Sequence, residues 1–469
     1  MDVIILPFLM LIATPFFIHK LGPEHYGIWM LVNSIIASIG IFNVGTGDAT
    51  IKFVSKYKAF EDNANLNRIV NTGFSINLII IIVTILAGLA VSYFVSVYDV
   101  FNLSPANEKL ASIVIVLGAG VFGIKQMEQL ALSLFKGIER YDTSSKISMT
   151  SKFFLLTGQV IIVFLGYRLV QIFIVSVIVS ASAVLLELVF IKFRFKDISF
   201  IPHFHKESIK EIFSFSSWSW IQSVLSIIAS QVDRFIVITF AGPKFLAYYA
   251  LAATIGGQLH SVFTAGAGWV FPKVSAKTER KENVTGLYYK MQLLMALGGV
   301  LVISFLIIFG KIIFKTWLGQ ETYTNSILLI KLFLFLTMFN MLSIIPHYYL
   351  LGSNLIRIST YFMFMSVVFT IAFMIICYNW IGIDGLAYGK IISSFFAIPI
   401  MLTYVHFKLI DHRNFSGLLT FIPIALIAFA LYFMNGLSIL LALIALAVFG
   451  LEYKIKIKEH QSENRIQQQ

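Results

Sequence analysis

Seven ionisable residues lie inside long apolar stretches of the sequence, where a charge is costly. A charged group at the depth of a lipid bilayer costs about 2.5 to 3.5 kcal/mol, so it normally faces protein or a water-filled cavity. Lys125 and Glu128 are three residues apart and therefore share one face of a helix. We take these residues as the candidate binding sites of the chain: Lys125, Glu128, Glu187, Asp233, Arg234, Lys331 and Lys390.

Two interpretations without a binding role are also open for these charges. Lys331 and Lys390 stand near the ends of their apolar stretches, where a lysine stem can carry its amine to the lipid headgroups. Lys125, Glu128, Asp233 and Arg234 could instead form structural ion pairs that lock helices together.

The other chemistry-bearing residues form no catalytic or metal-binding pattern. His203 and His205 give a His-x-His spacing without a recognisable third ligand, which does not predict a metal site. Cys377 is the only cysteine, so an intramolecular disulfide or a thiolate cluster is excluded. No Ser/His/Asp set, Cys/His pair or nucleotide-binding glycine loop is present. We predict neither an enzyme nor a cofactor.

The elements that hold the seven residues are membrane spans. Hydrophobic residues make up 58% of the chain and charged residues 12%, against about 25% charged in a soluble domain. A span needs about 20 apolar residues. Residues 3–18 lack the flanks of a cleaved signal peptide, so we expect a retained first span. Fourteen spans are predicted, near residues 3–18, 26–43, 72–95, 110–133, 147–167, 170–191, 212–240, 245–270, 286–309, 326–350, 358–377, 387–406, 416–433 and 437–451.

The distribution of basic residues orients these spans. Of the 35 lysines and arginines, 25 fall in loops on one side of the predicted spans and six on the other. Because lysine and arginine concentrate in cytoplasmic loops, the first side is predicted to be cytoplasmic, with both termini inside. The net charge of +12 then reflects membrane orientation and does not indicate a nucleic-acid partner. The fold class is all-α and polytopic.

A weak internal repeat divides the spans. At one constant offset along the chain, Gly22-Pro23 matches Gly242-Pro243 and Val54-Ser55 matches Val274-Ser275. Two repeats in the same orientation are a recurring architecture of secondary transporters. We therefore predict two pseudo-symmetric six-helix lobes and a terminal pair, with boundaries at 1–210, 211–407 and 408–469.

Three short strings resemble a known family of membrane proteins. The segment LGPEHYGIWMLVNSIIASIGIFNVGTGDA (Leu21 to Ala49) is similar to the second span of bacterial O-antigen and related polysaccharide flippases of the Wzx type, within the larger group that includes MATE exporters. FKGIERYD (Phe135 to Asp142) resembles the loop after their fourth span. GIDGLAYG (Gly382 to Gly389) resembles the start of their span 12.

The resemblance implies a cargo and a location. The cargo would be an oligosaccharide on undecaprenyl pyrophosphate, moved from the cytoplasmic to the periplasmic leaflet of the bacterial inner membrane by alternating access. A polysaccharide polymerase and chain-length proteins would be possible partners. Arg234 and Lys125 would meet the pyrophosphate, with Lys331 and Lys390 near the outer exit. Glu128, Glu187 and Asp233 would carry the coupling proton or sodium ion.

Three alternatives remain open at the level of sequence. A MATE-type exporter of small molecules, coupled to an ion, would have the same span pattern. A membrane-embedded polymerase or ligase would be expected to carry a large outer domain, and every predicted outer loop is short. A purely structural membrane protein would have little use for buried charges on several spans.

Overall fold

The computed structural model describes residues 2–43, 45–98, 100–101, 103–195 and 198–410. The predicted spans near 416–433 and 437–451 lie outside the described residues. In the described part the chain forms helices joined by short turns, as predicted. They are α1 Asp2–Ile39, α2 Thr46–Ala59, α3 Asn63–Val97, α4 Pro105–Gly137, α5 Tyr141–Phe164, α6 Leu169–Arg194, α7 Lys206–Ala267, α8 Val270–Glu279, α9 Thr285–Ile308, α10 Gly310–Leu318, α11 Gln320–Met341, α12 Ile344–Gly352, α13 Ile356–Ile381 and α14 Asp384–Val405.

Ten helical segments among the described residues are long and apolar enough to cross a membrane. Two of them contain a sharp break at a Gly-Pro pair, which divides each into two predicted spans. Gly22 (φ 78°, ψ 157°) breaks α1 and Gly242 (φ 74°, ψ 178°) breaks α7. Glycine tolerates a positive φ because it has no Cβ, and the proline that follows has the fixed φ of a first helical residue. The protein is therefore a multi-pass membrane protein.

Some helices continue beyond the apolar residues that predicted them. Helix α3 begins at Asn63, well before the predicted span that starts at residue 72. The reason is local: the Asp62 side chain accepts a hydrogen bond from the Asn65 amide at 3.0 Å, which caps the helix before the apolar part starts. Hydropathy locates the membrane-embedded part of a helix, whereas capping determines where the helix begins.

Unusual backbone conformations occur twice along the chain, at a nearly constant offset. Glu61 and Lys281 both have a φ of 55°, and they are as far apart in sequence as Gly22 and Gly242. Glu139 (φ 65°) and Asn354 (φ 59°) form a second pair at almost the same separation. Left-handed conformations are uncommon for residues other than glycine. The rare backbone conformations therefore recur with nearly the same spacing as the matched residues of the sequence repeat.

Close helix packing recurs in the same way. A Cβ placed on Gly137 would lie 2.8 Å from the side chain of Val54, and a Cβ placed on Gly352 would lie 2.8 Å from the side chain of Val274. Val54 and Val274 are themselves matched positions of the repeat. Each glycine therefore lets the end of its helix lie against the short helix that precedes it in the same half of the sequence.

The chain divides into two compact units, residues 1–250 and 251–469, named unit 1 and unit 2. The lobe boundary predicted at residue 210 stays a prediction. In unit 1, α4 packs against both α3 and α6, and a core of apolar side chains joins α2, α3 and α4 to the segment after α6. In unit 2, α14 packs against α11 and α13, and α12 packs against α8 and α9.

The segment between α6 and α7 is attached to α3. The side chain of Asn67 accepts hydrogen bonds from the amide and hydroxyl of Ser199 at 2.8 and 3.2 Å. One helical turn further on, Asn71 accepts from the amide of Ile201 at 3.0 Å. We call residues 198–205 the linker strap, and side chains on one face of α3 hold it in place.

Two contacts continue the attachment into α7. Arg68 forms an ion pair with Glu207, and the Tyr57 hydroxyl donates to Glu211 at 3.0 Å. Within the strap, the rings of His203 and His205 have their centroids 4.5 Å apart. The start of α7 is thereby fixed to α2 and α3.

Candidate functional site

Three of the predicted site residues come together in unit 1. Lys125 and Glu128 are on α4, Glu187 is on α6, and these two helices pack against each other. Glu128 and Glu187 are buried, with 7% and 4% of their surface exposed, while Lys125 is half-buried. The charge of Glu128 acts on both Lys125 and Glu187. We call these three residues the α4–α6 charge cluster.

Glu187 is the most unusual member of the cluster. Both of its carboxylate oxygens are buried, and neither has a hydrogen-bond partner among the described residues. The side-chain oxygen of Gln126, on the facing helix α4, is also buried without a partner there. A buried carboxylate without donors is unfavourable as an anion. The geometry therefore suits the uptake of a proton or another cation by Glu187.

The described residues supply no ion pair within 4.0 Å to the α4–α6 charge cluster. Ion pairs with nitrogen and oxygen within 4.0 Å occur elsewhere in the part of the chain that the structure describes. They join Arg68 to Glu207, Arg140 to Asp142, Lys277 to Glu282, and Arg280 to Glu282. The interpretation of Lys125 and Glu128 as a locked structural pair is thus less favoured.

Asp233 and Arg234 lie in a second polar group of unit 1, beside the break in α7. Asp233 is 6% exposed and accepts two hydrogen bonds, from the Tyr249 hydroxyl at 3.0 Å and from the Arg234 amide at 2.9 Å. Because Gly242 separates Asp233 from Tyr249, the first of these bonds spans the break. Asp233 differs in this respect from Glu187, whose oxygens lack donors among the described residues.

The Arg234 side chain is half-buried and lies near enough to two buried tyrosines, Tyr26 and Tyr249, for its charge to act on them. Tyr26 also hydrogen-bonds to Thr14, so residues of α1 and α7 meet at this position. A guanidinium group among hydroxyls can bind an anionic oxygen, because it has five donors and is always charged. We call Tyr26, Asp233, Arg234 and Tyr249 the α1–α7 group.

The close approach of α1 and α7 is visible at Gly27. A Cβ on Gly27 would overlap the backbone carbonyl of Pro243, so no larger residue fits without movement of one helix. The two Gly-Pro breaks therefore do more than end a span. They bring the backbone of the second half of α1 against the break in α7.

Lys331 and Lys390 belong to unit 2, whereas the other five predicted site residues belong to unit 1. Lys331 is on α11 and Lys390 on α14, and both are half-buried. Helices α11 and α14 pack against each other. A role for these two lysines at an outer exit stays a prediction.

Sequence reasoning missed a set of neutral polar residues in unit 2. The His260 ring hydrogen-bonds to the backbone of Asn340, and the Thr264 hydroxyl lies 3.4 Å from Nδ1 of His260. In α12, Nδ1 of His347 lies 2.9 Å from the Ser359 hydroxyl. These residues are neutral, so the rarity of charges in apolar stretches does not identify them. The sequence feature that could have identified them is the presence of histidine, threonine and asparagine inside predicted spans.

A break between α11 and α12 organises this set. The two helices form one apolar segment, Gln320–Gly352, interrupted after Met341. Side chains satisfy carbonyl groups that the break frees: Gln292 donates to the Leu342 carbonyl at 2.9 Å and Ser343 to the Asn340 carbonyl at 2.7 Å. Non-helical backbone at membrane depth is tolerated where protein or a water-filled cavity surrounds it.

The comparison with known sequences assigns the chain to a family. Residues 3–276 match the model of the polysaccharide biosynthesis protein family, so the chain belongs to that family, as the resemblance indicated. It is 23% identical over 339 residues to a candidate O-antigen transporter of Shigella flexneri, covering 72% of this chain and 79% of that protein.

Solved structures with the same fold are transporters and flippases. An inward-facing multidrug transporter of the MATE family matches with a TM-score of 0.71 at 14% identity, over 86% of this chain and 94% of that one. The lipid II flippase MurJ, in an inward closed conformation, matches with a TM-score of 0.70 at 15% identity, over 97% of this chain and 98% of that one. At these identities the likeness defines the fold alone.

Proposed function

We propose that this protein is a flippase for an undecaprenyl-pyrophosphate-linked oligosaccharide, an O-antigen or capsule repeat unit. The proposal is supported by membership of the polysaccharide biosynthesis family. The observation that carries it is Arg234, a half-buried cation inside an apolar span, close to the break in α7 at Gly242. An anionic headgroup is the ligand that such a group fits best.

The physical task of such a flippase matches the placement of charges. A sugar-pyrophosphate head cannot cross hydrocarbon unaided, whereas its polyprenyl tail can remain in lipid. The protein must therefore supply a polar path for the head only. We assign the pyrophosphate to Arg234 and Lys125, and later contacts along the path to Lys331 and Lys390.

We assign ion coupling first to Glu187. Its oxygens lack donors among the described residues, so it can gain or lose a proton, or bind a sodium ion, at low structural cost. The charge of Glu128 acts on Glu187, so Glu128 is the second candidate for ion coupling. Asp233 is a weaker candidate because Tyr249 and the Arg234 amide already donate to it. Binding of the ion and of the cargo to alternate conformations would drive transport.

The wider setting follows from the same proposal. We propose fourteen spans with both termini in the cytoplasm, two duplicated lobes and a terminal pair, in the inner membrane of a bacterium. The recurrence of left-handed residues at a nearly constant offset supports the duplication. A polysaccharide polymerase and chain-length proteins would receive the cargo on the periplasmic side.

Deletion of the gene tests the proposal directly. We expect lipid-linked repeat units to accumulate on the cytoplasmic leaflet of the mutant and to disappear from the periplasmic leaflet. Leaflet position can be read by the access of a membrane-impermeant sugar-modifying enzyme to sealed right-side-out and inverted vesicles. Units stranded on the periplasmic leaflet would contradict the proposal and favour a polymerase or ligase.

A second candidate is an ion-coupled exporter of small molecules. The unpartnered carboxyl group of Glu187 would suit either transporter, since both need an ion-binding group. The two are separated by phenotype. Drug sensitivity of the deletion strain with normal surface polysaccharide would favour the exporter, whereas loss of the polysaccharide with unchanged drug tolerance would favour the flippase.

A further inference from the structure

The neutral polar residues of unit 2 form a surface whose contact with lipid hydrocarbon would be energetically unfavourable. His260, Thr264, Asn340 and His347 lie in segments apolar enough to span a membrane, yet each is partly exposed. Polar groups exposed to lipid cost several kcal/mol if unsatisfied, so such a surface normally faces water or a polar ligand. We call these four residues the histidine face.

Hydrogen bonds hold the histidine face in a defined geometry. His260 is attached to the backbone of Asn340, and the Tyr348 hydroxyl donates to the Thr264 carbonyl at 3.1 Å. His347 is held by Ser359 at 2.9 Å. Because Tyr348 is the chain neighbour of His347 and Thr264 lies one helical turn after His260, the bond between Tyr348 and Thr264 places the two rings in one local environment. Prearranged polar groups on helices are typical of binding sites.

The chemistry of the histidine face differs from that of unit 1. Among the described residues of unit 2, Lys331 and Lys390 lie well inside spans, and the exposed cations Lys290 and Arg357 lie in the first two turns of α9 and α13. Its carboxylates stand at or next to helix ends, as Glu279, Glu282, Glu321 and Asp384. The face itself combines neutral donors with neutral acceptors. A pyrophosphate is bound best by cations, and the described residues hold no group of three His, Cys, Asp or Glu that could bind a metal ion. A sugar hydroxyl both donates and accepts, so it suits neutral donors and acceptors.

We propose that the histidine face is the subsite that recognises the sugar hydroxyls of the cargo. This inference rests on the proposed function and deepens it. The neutral residues of the histidine face bind the oligosaccharide, the part that differs between such lipids, and not the pyrophosphate that all of them share. Asn340 and His347 are the specificity-determining residues.

The test compares two lipids on the full-length protein in lipid nanodiscs. One probe is the undecaprenyl-pyrophosphate oligosaccharide extracted from the deletion strain, and the other is undecaprenyl pyrophosphate without sugar. We expect the wild type to bind the sugar-bearing lipid more tightly. Asn340→Ala and His347→Ala should each weaken that binding by about three- to tenfold, the effect of one hydrogen bond, and leave binding of the sugarless lipid unchanged.

A matched control comes from the same helix. Asn325 lies at the opposite end of α11, is exposed, and donates only to the Glu321 carbonyl. Asn325→Ala should therefore bind both lipids as the wild type does. Should Asn340→Ala fail to fold, Thr264→Val offers a second removal of a polar group from the face.

Each other outcome overturns a definite part of the proposal. Equal weakening for both lipids, or none for either, would overturn the sugar subsite and leave the flippase standing. So would a wild type that binds both lipids equally. Loss of pH-dependent transport in His347→Gln, with sugar discrimination intact, would replace the subsite by a proton site. A wild type that binds neither lipid would overturn the flippase and the subsite together.

Discussion

Units 1 and 2 differ in the polar side chains that their membrane spans carry, although their backbones share rare features. Both contain a left-handed residue after a short helix, Glu61 in one and Lys281 in the other. Unit 1 carries both acidic and basic residues inside its spans, whereas the described part of unit 2 carries lysines together with neutral histidine, asparagine and threonine there. The comparison teaches that regions alike in these backbone positions can differ in the chemistry of the side chains inside their spans. Each of the following experiments would break or sharpen that contrast.

The largest effect is expected at the α1–α7 group of unit 1. Arg234→Ala should lower the transport rate in reconstituted vesicles by about 100-fold, because truncation of one partner of a buried charge contact costs about 2 to 5 kcal/mol. Arg234→Lys should retain part of the activity. The control is Lys244→Ala, an exposed cation on the same helix. Wild-type rates in Arg234→Ala would remove the pyrophosphate role.

Glu187→Gln should separate function from stability in the α4–α6 charge cluster. We expect transport driven by an ion gradient to fall about tenfold or more, while the melting temperature stays constant or rises, because the substitution removes an unpartnered buried charge. Vesicle transport with and without a gradient, together with thermal unfolding in detergent, measures both. A lower melting temperature with normal coupling would mean that Glu187 is structural.

A paired glycine substitution tests the contact between α1 and α7. Gly27→Ala should destabilise the protein by about 1 to 3 kcal/mol, since its new Cβ meets the Pro243 carbonyl. Gly120→Ala, in a helix position with nothing within 4 Å of the new Cβ, should be neutral or slightly stabilising. Thermal unfolding of both variants checks the difference. Equal melting temperatures would show that α1 and α7 separate freely.

The repeated left-handed residues permit the same substitution in each unit. Glu61→Gly and Lys281→Gly should each stabilise the protein by up to about 1 kcal/mol, since glycine adopts this conformation without strain. Equal gains, measured by thermal unfolding, would support a duplicated scaffold. Gains in one unit alone would limit the duplication to sequence.

The smallest effect is expected in the linker strap of unit 1. Partial burial, with help from His203 and Arg68, lowers the pKa of His205, and Glu207 acts in the opposite direction. A lowered histidine pKa in the folded state means that the unfolded segment binds the proton more readily. The strap should loosen as the pH falls below about 6.5, the ordinary histidine pKa.

Hydrogen exchange of residues 198–205 between pH 7.5 and 5 measures this change, after correction for the intrinsic rates. His205→Asn provides the reference, because it cannot titrate. Identical corrected rates in the two proteins across the range would show that His205 does not control the strap.

The sequence predicted those features that single residues determine. Gly22 and Gly242 revealed the two helix breaks, because a Gly-Pro pair has few other uses in a span. Lys125, Glu128 and Arg234 stood out because a charge in an apolar stretch is rare. The family followed from three short strings, and the family match confirmed it.

Features that depend on packing between distant helices were not predictable. That Glu187 lies beside Glu128 follows from the packing of α6 on α4, which no local pattern specifies. The histidine face joins α7, α11 and α12, and its residues are individually unremarkable in sequence. The attachment of the linker strap to α3 has no local signal in the sequence, because the acceptors that hold it, Asn67 and Asn71, lie far earlier in the chain.

The breaks at Gly22 and Gly242 also bear on how the protein enters the membrane during synthesis. In each case the chain passes from one apolar helix to the next through a single non-helical glycine, so only a few polar residues separate the two helices. We expect the two helices of each pair to be handed to the lipid together, as one hairpin. At these two positions the protein would then insert into the membrane two helices at a time.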